Sequence, residues 1–186
     1  CLFVNDELNN ILKELKWKRK KKYFNFIYKV LQYDKHKNHS IILDEIIEKC
    51  IINNYFEKFY KFLELSEKYK FINYDLHLHL SAQYYRSDMA RAIIQTGKVE
   101  YKEENEDFCP IYWCLFNKME DILILIICEY KIRGFDYVSS SNLTTRHLEP
   151  LISRGYINEE KIEQIKKEKN KKFIDCTYLD NTFEGL

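Results

Sequence analysis

The chain repeats itself at an offset of 33 residues, and this recurrence constrains its folding more than any single residue does. Leu76-His77-Leu78-His79-Leu80-Ser81-Ala82 is followed by the apolar pair Ile93-Ile94 and by Gly97. Cys109-Pro110-Ile111-Tyr112-Trp113-Cys114-Leu115 is followed by Ile126-Ile127 and by Tyr130. The offset pairs Leu78 with Ile111, Leu80 with Trp113, Ala82 with Leu115 and Met89 with Ile122. It also pairs Asp88 with Asp121, Ile93 with Ile126 and Ile94 with Ile127, the last three as identities. A period of this size marks stacked helical units, each too small to bury its own apolar face. Met89, Ile93 and Ile94 fall on one helical stripe, and Ser81 and Ala82 are small enough for an inner helix to approach its neighbour closely.

The rest of the chain reads as helical as well. With four Gly and two Pro among 186 residues there are few breakers. Leu8, Ile11, Leu12 and Leu15 follow the N-cap pair Asn5-Asp6 and predict a helix over 6–22. A second is expected at about 23–33, then a polar connection from Asp34 to Ser40. Helices at about 42–53 and 55–69 form a degenerate unit. Residues 76–108 and 109–141 are the two better ones. A broken helical pair around Pro150 is expected over 143–154, ending at Gly155, a natural C-cap. Asn158 then caps a charged terminal helix, about 159–172. The expected fold class is therefore all-α, built of stacked helical-hairpin repeats. A helical cap covers 1–40, repeats cover 41–141, and a cap and tail cover 142–186, in one continuous domain. An irregular helical bundle is the alternative.

Leu78, His79 and a small residue (Ser81 or Ala82) stand where the ankyrin repeat family has the T-P-L-H-x-A signature opening its inner helix. The chain resembles that family over 76–108 and 109–141. Gly97 ends the outer helix at the family's distance from His79, and Pro110 and Ile111 hold the Pro and apolar places of the next unit. The departures are specific. Leu76 and His77 replace Thr-Pro, Cys109 and Tyr112 replace Thr and His, Tyr130 stands at the terminal Gly, and neither unit has the turn glycine between its helices.

Net charge is only +1, so no overall field argues for nucleic acid. The longest apolar run, Ile122 to Cys128, is far shorter than the ~20 residues of a membrane span. Lys16-Trp17-Lys18-Arg19-Lys20-Lys21-Lys22 is suited to phosphate contact, but a solvated helix face is the simpler reading, and nucleic acid is not the expected partner. Cys1, Cys50, Cys109, Cys114, Cys128 and Cys176 include no CxxC pair, and an apolar-rich chain of this size does not need a disulfide framework. They are read as reduced, core-filling residues, with disulfides of an exported protein as the alternative. Asp75-Leu76-His77-Leu78-His79 alternates acid and imidazole, yet a structural histidine explains it better than a metal site. No catalytic motif or cofactor-binding loop is present, so neither enzyme activity nor a cofactor or metal is expected.

These readings converge on a non-catalytic module that binds another protein. The resemblance to ankyrin repeats implies a concave face of hairpin tips and inner-helix surfaces. The residues expected there are Tyr74, Asp75 and His77 in one unit and Asp107, Phe108 and Cys109 in the next. Tyr84, Tyr85, Phe116 and Asn117 at the inner-helix ends extend it. Tyrosine and phenylalanine suit such a role because they bury much area at low entropic cost. A cytoplasmic location is expected. Because the chain opens on Cys1, a removed leader and a secreted, disulfide-linked effector form the competing reading.

Overall fold

The computed structural model describes residues 21–33, 39–101, 109–132 and 144–158, together with 160, 163 and 167. The helix expected over 6–22, the side chains of the basic run, Asp107, Phe108, Cys1 and Cys176 lie outside the described residues. The described elements are α-helices, and no strand occurs among the described residues.

The chain divides into two compact units, one ending at Glu100 and the other beginning at Tyr101. That division falls inside the stretch read from the sequence as continuous repeats. The first unit holds α1 (Lys21–Gln32), α2 (Ser40–Ile52), α3 (Phe56–Ser66), α4 (Tyr74–Gln83) and α5 (Ser87–Gln95). Helices α2 and α3 form one hairpin and α4 and α5 another. α2 packs on α4, α3 packs on α5, and α1 closes against α3. The second unit holds α6 (Pro110–Phe116), α7 (Glu120–Tyr130) and α8 (Thr145–Ser153), with α6 packed on both of the others. Pro110 occupies the first turn of α6, where its missing N–H leaves no bond unmade. The break expected at Pro150 does not occur: α8 runs through it, with Leu148 and Leu151 buried on either side.

Every hairpin turns on the same backbone pattern. Asn54 N–H bonds to Ile51 O and Tyr55 N–H to Cys50 O; Tyr85 and Arg86 bond likewise to Ala82 and Ser81, and Lys118 and Met119 to Leu115 and Cys114. Gly155 and Tyr156 close α8 in the same way on Ile152 and Leu151. This paired closure satisfies the last helical carbonyls, and it requires a left-handed residue at the turn. Asn54, Tyr85, Lys118 and Gly155 hold φ of 57°, 56°, 55° and 70°, at successive spacings of 31, 33 and 37 residues. The turn glycine missed in the sequence is thus missed as a residue type only; its conformation is there. Tyrosine and lysine are strained in it by roughly 1–2 kcal/mol. We therefore expect Tyr85→Gly and Lys118→Gly each to raise the melting temperature, whereas Gly155→Ala, with open space around the added methyl, lowers it by φ alone. A fall in melting temperature on Tyr85→Gly would show that the ring's contacts outweigh the strain.

The buried positions follow the turns. Counted from the turns, Ile47, Leu78 and Ile111 hold the same position in the first helix of each hairpin, as do Ile51, Ala82 and Leu115. Phe62, Ile93 and Ile126, and Leu63, Ile94 and Ile127, do so in the second. In the first unit, side chains also tie one hairpin to the next. Arg86 donates through Nε to Ile51 O at 3.1 Å and through a terminal guanidinium nitrogen to Ile52 O at 3.3 Å, so a cation caps the C-terminus of α2. Tyr60 hydroxyl donates to Asp88 O at 3.3 Å between α3 and α5.

Candidate functional site

Tyr74 and His77, expected on an exposed face, are buried, His77 completely. The reason is periodicity. Tyr74, His77, Leu78 and Ser81 fall on one stripe of α4, the helix that packs on α2. Tyr74 is further fixed by its hydroxyl, 2.9 Å from Ser66 Oγ. Asp75 is half-buried and accepts Glu100 N–H at 3.3 Å. Cys109 is buried and Asn117 half-buried, while Tyr84, Tyr85 and Phe116 are exposed, Tyr85 to 62%. Helix α4 has ten residues, so Asp75 in its first turn and Tyr84 just past its end stand about 14 Å apart along the axis. The two ends of the helix are separate surfaces.

Between α2 and α4 lies a polar group that the apolar pattern did not announce. Asp44 Oδ1 accepts Asn73 N–H at 3.0 Å and lies 3.2 Å from His77 Nε2. Glu48, one turn along α2, is half-buried, and loss of solvent pushes its carboxyl above the ordinary value while the nearby His77 opposes the shift. Neither His77 Nδ1 nor the buried Ser81 Oγ has a hydrogen-bond partner among the described residues. Acid, imidazole and hydroxyl in this order resemble the parts of a nucleophilic triad. Here the hydroxyl makes no bond to the imidazole and both groups are closed to solvent, so nothing is placed to attack a substrate. His79 is buried on the same helix, and desolvation holds its pKa below 6.5.

In the second unit, Phe116 is anchored despite its exposure. Its ring stacks on Tyr112 at 6.0 Å and on His147 at 5.7 Å, with interplanar angles of 20° and 13°. Trp113 meets it edge-on at 5.8 Å. His147 is held in turn by its own helix start, its Nδ1 accepting Thr144 N–H at 3.0 Å. Tyr112 and Phe116, four residues apart on a helix, are a pair readable from the sequence. His147, three decades of residues further on, is not.

Cys50, Cys109 and Cys114 are buried thiols, and Cys128 is an exposed one. Burial pushes the Cys50 thiol up to about 12 and raises that of Cys114 as well, so neither offers a thiolate near neutral pH. Among the described residues, no cluster of His, Cys, Asp and Glu side chains is arranged to hold a metal ion. No described helix is long and apolar enough to cross a membrane. Compared with protein-family models, curated proteins and solved structures, the chain matches none.

Proposed function

We propose that the hairpins are ankyrin-like stacked repeats and that the chain is a non-catalytic module binding another protein through exposed side chains at the ends of its inner helices. The observation that carries this reading is the recurring hairpin turn, with Asn54, Tyr85 and Lys118 left-handed at spacings of 31 and 33 residues, each closing a helix by the same backbone bonds. Packing of α2 on α4 and of α3 on α5 fits the stacking of such units. The closed acid–imidazole–hydroxyl group fits a structural use of those residues. Tyr84 and Tyr85 remain exposed at one inner-helix end, Phe116 at another, each a large side chain with little rotamer freedom to lose.

The test places a photo-crosslinking amino acid at Gln83 of the full chain, beside the tyrosine pair, in an extract of the native cell. A discrete protein adduct should form and be competed by the unmodified chain. A competitor carrying Tyr84→Ser and Tyr85→Asn should be at least about tenfold weaker. Asparagine is chosen at position 85 because it tolerates the left-handed turn. Absence of a competable adduct, or equal competition by the variant with intact helicity, would remove this surface from the proposal.

A further inference from the structure

Phe71, Tyr33 and Ile41 are the most exposed large apolar side chains among the described residues, at 79, 77 and 72%. They come from three segments: the loop between α3 and α4, the end of α1, and the first turn of α2. Two hydrogen bonds draw these segments to one end of the first unit. Tyr69 hydroxyl donates to Leu31 O at 2.9 Å, a contact two residues from Phe71 on one side and two from Tyr33 on the other. Asn73 N–H donates to Asp44 Oδ1 at 3.0 Å, two residues from Phe71 and less than one helical turn from Ile41. Each of these separations is at most about 7 Å of chain.

The loop that carries Phe71 is tied at both ends. Tyr69 is buried, Tyr74 N–H bonds to Ile72 O at 3.1 Å, and Asn73 Oδ1 caps α4 by accepting Leu76 N–H at 3.0 Å. The ring is therefore displayed from a fixed backbone, and a partner need not order it on binding. The loop also carries charge. Lys68 and Lys70 are exposed, and neither has an ion-pair partner among the described residues. Lys98 reaches the start of the loop, its Nζ 3.4 Å from Glu67 O, and the exposed Glu67 adds one carboxylate beside these cations in the sequence. Glu45, one turn beyond Ile41 on α2, makes that flank acidic instead.

We propose that Phe71, Tyr33 and Ile41 form an anchoring surface for a protein segment that combines apolar side chains with carboxylates, the carboxylates lying toward Lys68 and Lys70. This inference rests on the reading of the chain as a binding module. It names a surface at the opposite end of α4 from Tyr84, and the chemistry of its partner. Apolar anchors supply the contact area, and the lysines set its orientation and salt dependence.

The probe is a phage-displayed library of random peptides, offered to the immobilised full chain at low salt with and without prior depletion on a Phe71→Ser chain. Peptides surviving depletion should pair aromatic or aliphatic residues with Asp or Glu. A synthesised survivor should bind about tenfold or more weakly to Phe71→Ser and to Ile41→Ser. It should lose affinity to Lys68→Gln/Lys70→Gln at low salt, with the difference shrinking as salt rises. Circular dichroism should match the parent for all variants, since the replaced side chains are exposed. Binders that all vanish on depletion overturn this surface and leave the module reading standing. No binder from either library overturns both. Survivors without acidic enrichment, Phe71-dependent self-association, or Phe71-dependent binding to phosphatidylcholine–phosphatidylserine vesicles in place of peptide would each overturn the partner class.

Discussion

Ile93→Asp and Ile126→Asp should each unfold the unit that contains the substitution. Both isoleucines are fully buried, and they hold the same position, counted from the turn, in α5 and α7, the second helices of their hairpins. Each carboxylate would enter an apolar stripe of its own helix: Ile93 lies with Met89, Ala90 and Ile94, and Ile126 with Ile122, Leu123 and Ile127. A carboxylate in such surroundings must be buried unpaired or protonated, or must force the helix off its neighbour. Any of these costs about 4 kcal/mol or more, a large part of the 5–15 kcal/mol that holds a domain folded. The measurement is a thermal melt followed by far-ultraviolet circular dichroism. A midpoint within a few degrees of the parent for either variant would show that these stripes are not the packed faces.

The second large effect is expected at Phe59. Its side chain is completely buried on α3, and it meets Tyr60 edge-on at 5.3 Å. The residues at the same distance from the turn in the second helices of the other hairpins are Ala90 and Leu123, also completely buried. The same backbone position thus accepts side chains of very different volume, each matched by its own surroundings. Alanine suits position 90 because the packing there is built around it. At position 59 it leaves a void where a ring was. We expect Phe59→Ala to cost about 3–5 kcal/mol, read from urea unfolding as a shifted midpoint with an unchanged slope. A loss below about 1 kcal/mol would mean that the helices close over the gap and that the hairpins interconvert more freely than their close packing implies.

Much of this arrangement was legible in the sequence because it depends on apolar spacing. Ile93-Ile94 and Ile126-Ile127 are buried in their helices, and α2 at Ser40–Ile52 and α3 at Phe56–Ser66 fall close to the expected 42–53 and 55–69. Two of the turns were hidden for a different reason. Gly155 announces its own, but at Tyr85 and Lys118 the left-handed conformation is fixed by two backbone hydrogen bonds and held at a cost in strain by residue types that do not announce it. Tyr74 and His77 were placed outside because the resemblance to ankyrin repeats puts the hairpin tip and the start of the inner helix on the exposed face. The helix period turns them inward, toward Asp44 and Ser66, partners that lie on other helices. The displayed trio Tyr33, Ile41 and Phe71 was invisible for the converse reason. Apolar residues in loops and first turns read as packing until their neighbours are known. Pro150 shows a limit of local rules: the residue disfavours a helix interior, yet the buried Leu148 and Leu151 hold α8 together around it.

Arg86 gives the first unit a built-in order of events. The last carbonyls of α2 are satisfied partly by its guanidinium, which belongs to the turn of the following hairpin. Any fluctuation that lifts α4 and α5 away therefore returns Ile52 O to water and leaves Ile51 O only the Asn54 N–H that it also accepts. In nearest-neighbour terms, part of the free energy of the first hairpin resides in the interface with the second. Local opening of one is penalised by fraying of the other, so slow amide exchange in α2 becomes a report on whether α4 and α5 are in place.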